Sequence, residues 1–135
     1  MLSDLIEQHK AVIASWTVTN FDREGANLRL KAEVVFVDRS RLFIRQVVLN
    51  GIMLKYAYHW QNQDEMLIIR WDNAGHWPDV ATFPHHKHVR NDEDIQVLPS
   101  RAGADLAEIL NEIARTLQPH PLQPSTFNLS PPPSP

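Results

Sequence analysis

Five of the chain's seven histidines, three of its four tryptophans, both tyrosines, Arg70 and Asp72 fall between Lys55 and His88, in the run KYAYHWQNQDEMLIIRWDNAGHWPDVATFPHHKH. An imidazole exchanges protons near neutral pH, and a guanidinium presents a planar fork that fits a phosphate and stabilises charge on it. Cleavage of RNA through its own 2′-hydroxyl requires a base for that hydroxyl, an acid for the leaving oxygen and cations around the phosphate. His59, Arg70 and one of His85, His86 or His88 would supply these, with Asp72 orienting the group. Lys55, Lys87, Asn73 and His76 are the expected substrate contacts. No metal is needed for this chemistry.

The same residues carry other readings. In an extended segment His86 and His88 project to one side, so with His85 and with Asp72 or His76 they could form a metal site of nitrogen and oxygen ligands. The spacing matches no strong zinc signature, and a divalent ion is the alternative cofactor rather than the expected one. More plainly, the three histidines cap carbonyls and stack on Trp77 or Phe83, His59 and Arg70 decorate a solvated sheet face, and Asp72 starts an Asx turn. Tyr56, Tyr58 and Trp60 could stack bases, but their alternation and their apolar partners favour core packing. The chain has no Gly-rich phosphate loop, nucleophile elbow or dinucleotide fingerprint.

These residues need a frame, and 135 residues with 43% hydrophobic content suffice for one domain with a real core. The absence of cysteine excludes disulfides, thiolate zinc sites and cysteine nucleophiles, and is compatible with a reducing cytoplasm. No apolar run is long enough to span a bilayer, so a cytoplasmic protein without a membrane partner is expected. A net charge of −3 argues against coating nucleic acid by bulk electrostatics, although a local basic cleft escapes that objection.

Leu2 to Lys10 predicts a short helix capped by Ser3, with Asp4 and Glu7 in its first turn. Strands follow at Val12 to Asn20, Leu28 to Val37 and Leu42 to Leu49, separated by turn signals at Asp22 with Gly25 and at Asp38, Arg39 and Ser40. Asn50 and Gly51 break the chain again. Met53 to Gln61 and Met66 to Asp72 then form a hairpin around the loop Asn62 to Glu65. Placing Gln61 opposite Met66 sets Trp60 across from Leu67, Tyr58 from Ile69 and Tyr56 from Trp71 on the core face. The other face then pairs His59 with Ile68, Ala57 with Arg70, and Lys55 with Asp72.

Beyond Asp72 an irregular loop runs to about His85, of the kind that carries function. Ile95 to Leu98 adds a short strand, and Ala104 to Leu117 has the spacing of a helix packed on the aromatic sheet face. The expected fold is α+β: a meander of about five antiparallel strands, a short N-terminal helix and a C-terminal helix on one face. It occupies residues 1–117. Residues 118–135 hold seven of the ten prolines and no charged side chain, and predict a flexible tail.

The runs YAYHWQ and LIIRWDNAGHWPDVATFPHHKHV resemble the pattern of the TumE family of small prokaryotic toxins. In that pattern an aromatic strand Y-x-Y-H-x-Q leads to an R-x-D-N-A turn and an F-P-H-H-K-H segment. These fall on Tyr56, Tyr58, His59 and Gln61, then on Arg70, Asp72, Asn73 and Ala74, and finally on Phe83 to His88. The family often has paired histidines after the turn, whereas this chain has Gly75, His76 and Trp77. Membership would imply a cytoplasmic growth inhibitor from a toxin–antitoxin pair, neutralised by a cognate antitoxin. RNA as substrate is inferred from the residue chemistry and from analogy with other small toxins of similar architecture. A different class of reading is a non-catalytic module that binds a protein through a sheet edge or the Pro-rich tail, and homodimerisation through such an edge also stays open.

Overall fold

The computed structural model describes residues 2–117. Along the chain these form α1 (Leu2–Gln8), β1 (Ile13–Glu24), β2 (Asn27–Phe36), β3 (Arg41–Leu49), β4 (Ile52–Gln61), β5 (Leu67–Asp72), β6 (His86–Asn91), β7 (Asp94–Pro99) and α2 (Leu106–Leu117). The strands make one antiparallel sheet in sequence order, so the expected α+β meander is present, with seven strands instead of about five. The Pro-rich stretch expected to be flexible lies outside the described residues. Two local expectations are corrected: α1 ends at Gln8 and contains Ser3 within its first turn, and β1 continues through Asp22 to Glu24.

One face of the sheet builds the core. Leu30, Ala32, Val34 and Phe36 of β2, Leu42 and Ile44 of β3, Tyr56, Tyr58 and Trp60 of β4, and Trp71 of β5 cluster with Leu106, Ile109, Leu110 and Ile113 of α2. The α2 stripe at spacings of three and four residues is what lets one helix face cover a flat aromatic surface. Each such side chain contributes roughly 1.5–3 kcal/mol when fully buried. Polar anchors fix the docking: Tyr58 donates to the Ala104 carbonyl (3.0 Å), and Lys87 reaches Glu112 on α2 (3.0 Å). The Asp38–Ser40 turn is tied to the same core, because Asp38 Oδ1 accepts from the Ser40 amide while Ser40 Oγ accepts from Trp60 Nε1 at 3.0 Å.

The β4–β5 hairpin departs from the expected register by two residues. Asn62 Oδ1 accepts from the amides of Asp64 and Met66, and the Met66 carbonyl accepts from the Asn62 amide, so Met66 belongs to the loop and Gln61 opposes Leu67. A bulge at Ile68 then sets Trp60 across from Ile69, His59 from Arg70, Tyr58 from Trp71 and Ala57 from Asp72. A shift of two preserves every face, which keeps the aromatic side inward. It also replaces the expected His59–Ile68, Ala57–Arg70 and Lys55–Asp72 pairs. Asn73 clamps the end of the hairpin, its amide side chain bonding the Tyr56 amide (3.0 Å) and the Leu54 carbonyl (3.2 Å).

Strand β6, HKHVRN, begins where the expected loop ends and realises the extended segment in which His86 and His88 share a side. It pairs on both sides, with β5 and with β7, and its polar side chains find partners on either face of the sheet. The preceding segment 73–85 is irregular as expected. Thr82 holds it down, since Thr82 Oγ1 donates to the His85 carbonyl and accepts from the Ser100 amide at 2.9 Å.

Candidate functional site

The face opposite the core carries two cross-strand rows of side chains, each set by the pairing register. One row runs Glu33, Phe43, His59, Arg70, His88 and Val97 from β2 to β7. The next runs Lys31, Arg45, Ala57, Asp72, His86 and Pro99. Residues scattered from Lys31 to Pro99 thus meet on one surface because the meander never crosses over.

At the β3–β4 end this surface is open. A groove of about 350 Å³ is lined by Thr19, Lys31, Phe43, Arg45, His59 and Arg70, together with Glu33. Glu33 is paired with Arg41, so three cations face the groove with one already engaged carboxylate. The Phe43 and His59 rings sit 6.4 Å apart. His59 Nδ1 lies 3.4 Å from Arg70 Nη1, a long contact in which only the guanidinium can donate. Burial holds the His59 pKa below its ordinary value, the charge of Arg70 lowers it further, and a hydrogen bond to Gln61 opposes both. His59 is therefore neutral and able to accept a proton at neutral pH.

At the β5–β6 end the surface is closed. Asp72 is 6% exposed and His86 1%. Asp72 Oδ1 accepts from the Ala74 amide at 3.0 Å, the Asx turn expected of it, and Oδ2 accepts from Arg70 Nε at 3.1 Å. His86 Nδ1 lies 3.0 Å from the Pro84 carbonyl. Because that oxygen can only accept, the bond places the ring proton on Nδ1. His86 Nε2 then faces Asp72 Oδ1 at 2.9 Å without the geometry of a hydrogen bond, and is otherwise unpartnered. His88 Nε2 stands 3.6 Å from Asp72 Oδ2, with the edge of Trp77 packed near its ring. Burial pulls the His88 pKa down; Asp72 raises it, and His86 and Arg70 lower it further. Asp72, His86 and His88 thus form a group able to hold a metal ion, their ligand atoms all within 4.8 Å of one another.

The structure brings His59, Arg70, Asp72, His86 and His88 together and leaves the other expected site residues elsewhere. His85 points to the core side, stacked on Tyr56 with Nδ1 2.9 Å from the phenol. Burial raises the pKa of Tyr56, so that phenol stays protonated and donates. Successive strand residues face opposite ways, which separates His85 and Lys87 from His86 and His88. Lys87 is bound to Glu112 on the helix side rather than facing the groove. Lys55 lies opposite Val47, and Asn73 is spent on the β4 backbone. His76 is exposed in the loop, and no hydrogen bond or ring contact joins it to this group among the described residues. Arg45 and Lys31, basic strand residues whose side the sequence leaves open, fall on this face because of a bulge at Leu54, and Phe43 is the addition.

An antiparallel meander with both helices on its apolar face, and imidazole, guanidinium and carboxylate groups on the other, defines a small α+β protein with one chemically equipped sheet face. The family model described as Toxin TumE matches residues 2–117, and the chain belongs to the TumE toxin family. Neither the curated proteins nor the solved structures contain a match to it. No helix among the described residues is long and apolar enough to cross a membrane.

Proposed function

We propose that this toxin cleaves RNA on the outer sheet face, with His59 as the base and Arg70 as the principal phosphate holder. The observation that carries this reading is the direct His59–Arg70 cross-strand pair opening on a groove lined by Lys31 and Arg45. A phosphate entering the groove competes for the guanidinium fork, and the 3.4 Å contact to His59 Nδ1 is weak enough to yield. The freed Nδ1 lone pair takes the proton of the 2′-hydroxyl, whose oxygen attacks phosphorus. Arg70, Arg45 and Lys31 then stabilise the charge that builds on the phosphate oxygens. Phe43 offers a ring beside His59 on which a base can stack. The proton for the leaving oxygen comes from the imidazolium form of His88, on the far side of Arg70 and 21% exposed, a minor form at neutral pH because burial lowers the His88 pKa.

The toxin acts in the cytoplasm and a cognate antitoxin neutralises it, as the family's place in toxin–antitoxin pairs implies. Induction of the wild-type chain should arrest growth and create new RNA 5′ ends, detectable by sequencing those ends. His59→Ala and Arg70→Ala should do neither while remaining folded and expressed. Growth arrest without new ends would keep the toxin and remove RNA cleavage; full toxicity in both variants would remove the assigned residues.

A further inference from the structure

We infer that Asp72, His86 and His88 bind a divalent cation of the zinc class, through two imidazole nitrogens and one carboxylate. The starting point is His86, whose Nδ1 is committed to the Pro84 carbonyl 3.0 Å away. That bond turns Nε2 inward beside Asp72 Oδ1, 2.9 Å distant but off the line of a hydrogen bond, in a place where the ring is 1% exposed. Two electron-rich atoms so close, away from water, need something electropositive between or beside them. A histidine that donates one ring N–H to a backbone carbonyl while presenting the other nitrogen inward is the arrangement that orients a metal-bound imidazole.

The remaining geometry agrees. An ion with nitrogen and oxygen ligands at about 2.0–2.1 Å in tetrahedral arrangement holds its ligand atoms roughly 3.3 Å apart. His86 Nε2 lies 2.9 Å from Asp72 Oδ1 and His88 Nε2 3.6 Å from Oδ2, so each imidazole stands near that spacing from one carboxylate oxygen, and one ligand atom from each of the three residues falls within 4.8 Å of the others. Strand β6 supplies both imidazoles at the i, i+2 spacing, and β5 supplies the carboxylate directly opposite His86. Two histidines and one carboxylate leave a coordination position open, as in catalytic rather than structural sites. The Arg70 guanidinium shares Asp72 Oδ2 at 3.1 Å, so a bound cation has a like charge for a neighbour. His85 takes no part, being turned to Tyr56.

This inference goes beyond the nuclease reading and does not depend on it. If both hold, the ion occupies His88, and a water at the open position rather than His88 serves the leaving oxygen. The full-length chain without an affinity tag, stripped of metal and titrated with zinc chloride in a calorimeter, should bind one equivalent. Asp72→Asn, His86→Gln and His88→Ala should each weaken binding by more than the roughly 10–100-fold typical of outer-shell changes. His59→Ala should leave it intact, and Arg70→Ala should tighten it. Cobalt(II) added to the wild type should give a tetrahedral or five-coordinate visible spectrum that zinc bleaches. Because buried His86→Gln can unfold the chain, the half-buried His88→Ala variant and the wild-type cobalt spectrum decide the matter by themselves.

Absence of stoichiometric binding by the folded wild type would overturn the site. Binding undiminished in folded His88→Ala would do the same. Zinc binding as expected, in a protein that leaves RNA uncut, would refute the nuclease reading while the cation site stands.

Discussion

The two ends of the outer sheet face differ in how firmly their side chains are held. At the open end His59 and Arg70 share one long 3.4 Å contact beside an accessible groove. At the closed end Asp72 receives Ala74 and Arg70 while both His86 nitrogens lie against oxygen atoms, and the loop that follows β5 leaves the group almost dry. Arg70 belongs to both, its Nε on Asp72 and its Nη1 toward His59. The lesson is one of division of labour along a single strand. A buried carboxylate fixes the root of the guanidinium, and the fork at its tip remains free to meet a ligand.

The largest effect that tests this contrast is on activity at the open end. Losing a general base costs about 10²–10⁴-fold in rate, so His59→Ala should abolish growth arrest and RNA cleavage with little change in unfolding free energy. If His59→Ala instead unfolds the protein, the open end is structural and the contrast fails. The next effect is on stability at the closed end. Asp72→Ala removes the acceptor of the Ala74 amide and of Arg70 Nε and should destabilise by about 1.5–3 kcal/mol, the net worth of a hydrogen bond to a charged group, the Arg70 contact adding less because that side chain is 41% exposed. Urea unfolding of the two variants side by side makes the comparison directly; equal midpoints would show that burial at Asp72 carries no such penalty.

Asn73→Ala should be milder. It removes two side-chain bonds to the β4 backbone, at 3.0 and 3.2 Å, each worth about 0.5–1.5 kcal/mol net. Its loss should therefore lower stability modestly and leave RNA cleavage unchanged once the protein is folded. A large loss of activity in folded Asn73→Ala would move the substrate to the end of β5 and restore the substrate contact expected from the sequence.

The inner face was legible in the sequence and the outer face only in part, for a reason that lies in strand geometry. Tyr56, Tyr58 and Trp60 alternate with apolar partners opposite, so any register of the right parity packs them inward. Which residue stands opposite His59 depends on loop details instead. Asn62 draws Met66 into the turn and Ile68 bulges, and together these move the pairing by two residues. At the β3–β4 hairpin, Asn50 and Gly51, both with positive φ, make the tight turn, but the bulge at Leu54 reverses the parity beyond it. Without that bulge Arg45 would share the face of the core tyrosines rather than that of His59. Strand β6 was not assigned because it is held by pairing with β5 and β7 and by Lys87 with Glu112, contacts remote in sequence that no local pattern announces.

The smallest expected effect is a pH dependence at the open end. His59 has a folded-state pKa below the ordinary 6.5, first through burial and then through Arg70, while the unfolded chain titrates near the ordinary value. Between the two values the unfolded state binds more protons, so unfolding free energy rises with pH there. The contribution is fully present above pH 6.5 and is lost as pH falls through the window between that value and the lower folded one. Stability measured by urea at about pH 7.5 and about pH 5 should therefore fall more for the wild type than for His59→Gln, which cannot titrate. Activity should follow the same group, persisting below the pH at which a solvated histidine would be half protonated. Identical pH slopes for the two proteins would mean that His59 is as free as it is in the unfolded chain. The open end would then be a solvated surface rather than a site where burial and Arg70 together keep a base unprotonated.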